Sequence, residues 1–208
     1  FSYPGGLPLY NDLNLKIKKG ESIGIIGESG TGKSTLVNLL VGLINPDKGN
    51  IFIDNNSIHG DLKSWHKAIG YMPQKSFLMD DSIENNITFY DSLNKNFLNK
   101  IIKQCQLEKL AQSLPNGIQT MIGENGARLS GGQLQRISLA RTLYKNPDVL
   151  ILDEATTSLD QENEKKILDI IANLKKNKTI IIISHQIHNL SLCDKIYELK
   201  DQKIKIYQ

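Results

Sequence analysis

The stretch Gly27-Glu28-Ser29-Gly30-Thr31-Gly32-Lys33-Ser34, followed by Thr35, decides the fold. It fits the phosphate-binding pattern G-x-x-x-x-G-K-[ST]. The apolar run from Ser22 to Ile26 precedes it, and a helical pattern from Leu36 to Leu43 follows it. Strand, glycine loop and helix in that order turn the pattern into a mechanism. The glycines let backbone N–H groups point inward at phosphate oxygens, where a Cβ would crowd the ligand. A helix beginning near Lys33 adds its positive dipole end. Lys33 is then placed to reach β- and γ-phosphates, and the Ser34 hydroxyl to hold Mg²⁺.

Outward from this loop, the chain reads as one globular domain, with room for an embedded subdomain in its 208 residues. Its 39% hydrophobic content is enough for a buried core. The net charge of +3 is small, with acids and bases interspersed, so the chain carries no nucleic-acid stripe. Cys105 and Cys193 have no metal-ligand spacing and are expected as ordinary thiols. No stretch approaches the ~20 apolar residues of a membrane span, and no signal peptide is visible. The abrupt opening at Phe1 suggests a fragment cut at a domain boundary, so a membrane segment upstream stays open.

Before the loop, Asp12 to Ile17 alternates polar and apolar and is expected as a half-exposed strand. After it come a turn at Pro46–Gly49, a short strand at Asn50–Asp54, a helix at Leu62–Lys67 and a strand at Ile69–Met72 stopped by Pro73. From Asp81 to Pro147 the pattern is helical: Ser82–Ile87, Lys95–Gln104, Leu107–Ser113 and an amphipathic helix at Leu134–Tyr144. Beyond Pro147 the grammar is α/β again. Val149–Asp153 and Lys178–Ser184 are buried strands flanking a helix at Asp160–Lys176, whose start carries a capping-box spacing at Ser158 and Gln161. Lys195–Lys200 and Lys203–Tyr207 resemble a terminal hairpin.

Two more stretches carry chemistry. Val149-Leu150-Ile151-Leu152-Asp153-Glu154 describes a central strand that delivers two carboxylates to the ligand-bearing edge of a sheet. Alternation along the strand sends Asp153 towards the Mg²⁺ shell and Glu154 elsewhere, at an attacking water within hydrogen-bond reach. Leu129-Ser130-Gly131-Gly132-Gln133 places a serine and two glycines at a helix N-terminus, a second anion cradle. A triphosphate seated on the first loop leaves this one to serve another chain's nucleotide.

With these motifs in order, the chain resembles the nucleotide-binding domain of an ATP-binding cassette (ABC) transporter over essentially its whole length. That resemblance implies an α/β fold: a P-loop NTPase (RecA-like) core with an antiparallel β subdomain, about 1–75 and 147–208, and an inserted helical subdomain, about 76–146. It implies ATP and Mg²⁺ as ligands. Gly27–Ser34 and Thr35 match the Walker A loop, and Tyr3, about two dozen residues earlier, matches the aromatic that stacks on adenine. Gln74 matches the Q-loop glutamine that contacts metal or water. Leu129–Gln133 matches the signature motif, Asp153 and Glu154 the Walker B aspartate and catalytic glutamate, Ser158-Leu159-Asp160 the D-loop, and His185 the switch histidine. His59, His66 and His188 match nothing and are expected at the surface, and Trp65 is expected to pack.

Thr120–Gly126 and Asp81–Ile87 resemble stretches found in exporters, flippases included, where the cassette is fused behind its own membrane domain and a residue such as Glu124 touches coupling helices. The resemblance thus implies an ATPase at the cytoplasmic face of the plasma membrane, pairing with a second ABC domain and bound to no nucleic acid. Two departures stand out. Gln186 follows His185 where exporters often carry Arg, and Asp201-Gln202 replaces the usual glycine turn of the last hairpin. The alternatives are a soluble ABC ATPase acting on nucleic acid or ribosomes and a non-hydrolysing regulatory module. Cargo contacts lie in the membrane domain, so the cargo is not legible here.

Overall fold

Three runs that are apolar on both faces build the centre of the sheet. In a computed structural model describing residues 1–157, 159–175 and 177–207, they are β1 (Ser22–Ile26), β5 (Val149–Asp153) and β6 (Thr179–Ser184). Side chains from Leu150 to Leu152 and from Ile180 to Ile183 are almost wholly buried, as expected of parallel strands covered on both sides. The six-stranded sheet has the order β4-β5-β6-β1-β7-β8, with β4 at Ile69–Met72, β7 at Lys195–Lys200 and β8 at Lys203–Ile206. β5, β6, β1 and β7 run parallel, and β8 returns antiparallel. Asp201 and Gln202 both adopt left-handed φ in this last hairpin, the geometry that a two-residue type I′ turn demands and glycine usually supplies. Asp54 and Asn55 do the same between β2 (Phe52–Ile53) and β3 (Asn56–Ser57).

The described chain divides into two compact units. The first, residues 1–71, 148–154 and 175–208, holds most of the sheet and α1 (Lys33–Leu40). Ile23, Ile25, Ile151, Ile181 and Ile183 pack there with Val37, Leu39 and Trp65. Trp65, from α2 (Leu62–Ala68), is buried and donates its indole N–H to Leu40 O at 2.8 Å, so the ring packs without an unpaired donor. His66 Nε2 lies 2.8 Å from Val41 O, and His59 is half-buried rather than a surface residue.

The second unit spans residues 72–147 and 155–174. It contains α3 (Ile83–Thr88), α4 (Lys95–Gln104), α5 (Glu108–Ser113), α6 (Gly131–Tyr144) and α7 (Gln161–Leu174). Asn86, fully buried, is satisfied on every side: its amide donates to Met79 O and Ser82 O, and its oxygen accepts from Met79 N and Arg141 Nη2. Cys105 is free and buried, and burial pushes its thiol up to about 12. Among the described residues no helix is long and apolar enough to cross a membrane.

The structure corrects two further expectations. Residues 12–17 keep their alternation, with Leu13, Leu15 and Ile17 against the core, but form no ladder. Alternation reports which face is buried, and a strand also needs a partner backbone in register. The α6 helix is not amphipathic, since Gln135, Ser138 and Thr142 are buried along with Ile137, Leu139, Ala140 and Leu143. A helix buried nearly all round has no polar face to show. The N-terminus of α7 is held by Asp160, whose carboxylate accepts Asn163 N at 2.9 Å. The capping box expected from Ser158, and Lys176 at the far end, lie outside the described residues.

Candidate functional site

Register brings the candidate residues of the first unit to one edge. Asp153 pairs with Ile183 and Ile26 with Ser184, so β1, β5 and β6 end level. Gly27, Glu154 and His185 are the next residue on each strand. Ligands of open parallel sheets bind beyond such carboxyl ends.

At the end of β1 the loop turns into α1 through Gly32, which sits at φ 101° as the N-cap residue. That left-handed backbone suits glycine, and a Cβ there would lie 2.7 Å from Tyr10 Oη. Glu28, Ser29 and Gly30 form the exposed rim. Lys33 Nζ donates to Gly27 O at 2.6 Å and Glu28 O at 2.7 Å, and Thr31 Oγ1 donates to Glu28 O at 2.9 Å. The ammonium therefore lies inside the curve of its own loop. Ser34 presents an exposed hydroxyl. Thr35 is buried, and its Oγ1 lies 3.1 Å from Tyr3 Oη. Tyr3 leaves about half its surface exposed and meets Phe1 edge-on at 5.0 Å. With Pro4, Gly5, Ile44 and Asp47 it lines a shallow cavity of about 480 Å³.

At the end of β5, Asp153 is buried, and its Oδ2 accepts a long hydrogen bond of 3.5 Å from Tyr71 Oη. Burial raises its pKa, the neighbouring Glu154 raises it further, and Tyr71 and Lys33 partly oppose that rise. Burial likewise pushes Tyr71 up to about 12, helped by Asp153. Glu154 takes φ 49°, an uncommon left-handed backbone for a residue with a Cβ, while its N–H donates to Ile183 O. The chain has already left the strand here, so the turn aims this carboxylate, not the alternation. Its Oε1 lies 3.3 Å from His185 Nδ1.

The second unit holds the other candidates. Gln74 follows β4. Ser130 Oγ accepts Gln133 N, and Gln133 Oε1 accepts Ser130 N at 2.8 Å, a reciprocal capping box at the start of α6. The side chain of Gln133 is thus spent on the cap, leaving Gly131 and Gly132 to present backbone. A Cβ on Gly132 would lie 2.4 Å from Asn163 Oδ1, and Asn163 Nδ2 donates to Asp160 Oδ2. Asn163 joins the signature stretch to Asp160. The segment around Glu124 pairs with the one around Ser82, through Ile83 N to Thr120 O and Ile122 N to Asp81 O. Glu124 itself is exposed.

Sequence reasoning missed Tyr10, Tyr71 and Asn163. The spacing Asp160-x-x-Asn163 after a turn was a legible cap signal. The two tyrosines carried none, because an aromatic among apolar residues reads as packing.

The family model described as ABC transporter matches residues 10–157. An ATP-dependent lipid A-core flippase of Wigglesworthia glossinidia brevipalpis is 39% identical over 218 residues, covering 100% of this chain and 36% of that protein. ATP-binding cassette sub-family B member 5 of Homo sapiens is 36% identical over 205 residues, covering 97% of this chain and 16% of that one. The solved structure of a bacterial Atm1-family ABC exporter with ATP bound superposes with a TM-score of 0.88 at 34% identity, over 95% of this chain and 35% of that one. The chain spans about a third of the length of the first bacterial relatives it matches.

Proposed function

Because this chain belongs to the ABC transporter family, we propose that it is the ATP-hydrolysing motor of an exporter-type membrane transporter, working as a head-to-tail pair. The observation that carries the reading is the convergence of Lys33, Asp153, Glu154 and His185 at the level ends of β1, β5 and β6. ATP is the substrate. The 27–34 loop and the first turn of α1 bind its phosphates through backbone N–H groups and Lys33, while Tyr3 faces the base. Glu154 orients and deprotonates the attacking water, and His185 holds Glu154 and the γ-phosphate in register.

The donor set fits Mg²⁺. The buried Asp153 carboxylate and the exposed Ser34 hydroxyl are hard oxygen donors, and a divalent cation would offset the Asp153–Glu154 repulsion. Asp153 and Ser34 would hold the ion, which would supply charge neutralisation there.

A second copy completes each site with Ser130, Gly131 and Gly132, and Asp160 lies at the same seam. Gly132 is explained by Asn163, but among the described residues Gly131 has only Leu159 Cδ2 within 4 Å, at 3.6 Å. Packing does not require glycine there, and close approach to a phosphate does. Glu124 reaches a membrane domain at the cytoplasmic face of the plasma membrane, and ATP-driven closure biases that domain between two states. The test is ATP affinity and phosphate release. Wild-type chain should do both, and Lys33→Ala should lose binding. Unchanged ATP affinity in that variant removes the loop from the site.

A further inference from the structure

Tyr10 sits behind the phosphate loop, 5% exposed, and donates its hydroxyl to Gly32 O at 2.5 Å. The same carbonyl accepts Leu36 N–H at 2.9 Å, the first bond of α1. A trans peptide is planar, so the Gly32 carbonyl and the Lys33 N–H point in opposite directions. Fixing the oxygen inward fixes that N–H outward, and it is one of the helix-start donors without an intrahelical partner. Gly32, with φ 101°, is the residue most free to let this peptide rotate. Tyr10 N also donates to Phe1 O at 3.2 Å, and Tyr3 reaches Thr35, so segment 1–10 touches the first turn of α1 through two tyrosine hydroxyls. The Tyr10 phenol is protonated at physiological pH, and burial raises its pKa further from that range.

We propose that Tyr10 is a positioning residue of the phosphate cradle, whose hydroxyl sets the Gly32–Lys33 peptide and with it the direction of the Lys33 N–H towards a polyphosphate. The inference rests on the nucleotide-site reading above. Its test is Tyr10→Phe in the full chain, which keeps the ring and leaves Gly32 O bonded to Leu36 N–H. Calorimetric titration with inorganic pyrophosphate, ADP and ATP should show all three weakened by a common factor of about three- to tenfold, the scale of one neutral hydrogen bond. KM for ATP should rise by that factor, with kcat within about twofold. A merely structural role would lower kcat through loss of folded protein and leave KM alone. Unchanged pyrophosphate affinity, or a fall in kcat without a rise in KM, overturns the role of Tyr10. Failure of the wild-type chain to bind any of the three overturns the nucleotide-site reading instead.

Discussion

His185 Nδ1 lies 3.3 Å from Glu154 Oε1, although the two residues come from different strands and Glu154 reaches the contact only through a left-handed turn. A carboxylate that must orient water gains from a partner that limits its rotamers. Glu154→Gln preserves shape and a hydrogen-bonding oxygen but removes the base. It should cut phosphate release by at least about 100-fold, the scale of general-base catalysis, and leave an ATP-stabilised dimer on size-exclusion chromatography. Turnover at the wild-type rate would remove Glu154 from the chemistry.

Asp153 should make the nucleotide-free chain less stable at neutral pH than a neutral residue would. Its pKa is raised in the folded chain, so the folded state binds the proton more tightly than the unfolded one. Stability then falls as pH rises through the window between the unfolded and folded values, and the penalty is complete above it. Asp153→Asn keeps an acceptor for Tyr71 and should raise the Tm of the nucleotide-free chain at pH 7. Each 1 kcal/mol of penalty removed reads as about 2–4 °C. The gain should shrink to nothing below the ordinary aspartate pKa. A Tm difference that does not vary with pH would show that the charge is not its cause.

The sheet centre was legible because Val149–Asp153 and Ile180–Ile183 are buried on both faces, so composition alone marks them. The glycine loop was legible because phosphate chemistry constrains residue types at fixed spacing. What brings Glu154 to His185 was not, since it depends on the register of Asp153 with Ile183 and on one φ value. Tyr10 was hidden for a related reason: a hydroxyl bound to a backbone carbonyl leaves no pattern in the chain. The missing ladder at residues 12–17 and the all-round burial of α6 both depend on neighbours distant in sequence, which local periodicity does not report.

Asp160 serves α7 as a cap whatever else it does. Its two oxygens accept Asn163 N and Nδ2, and these bonds hold its pKa below the usual aspartate value. Asp160→Ala should lower the midpoint of urea unfolding. Asp160→Asn should recover most of that, because an amide oxygen still caps. If Ala and Asn variants unfold at the same urea concentration, the cap contributes nothing.

Gly131 and Gly132 should separate cleanly under one added methyl. At Gly132 the new Cβ would lie 2.4 Å from Asn163 Cγ and Oδ1 and 2.8 Å from its Cβ. Asn163 is tied to Asp160 by two bonds and does not give way freely, so Gly132→Ala should cost about 1–3 kcal/mol of overpacking. Among the described residues, Gly131→Ala meets only Leu159, at an ordinary 3.6 Å. Both sit in the first turn of α6, where alanine is the better helix former. Gly131→Ala should therefore unfold no more easily than wild type, yet lose ATP-dependent dimerisation and phosphate release if a partner's phosphates approach that backbone. Differential scanning calorimetry with a phosphate-release assay reads both quantities on the same samples. Full activity in Gly131→Ala would mean that no phosphate comes close to that residue.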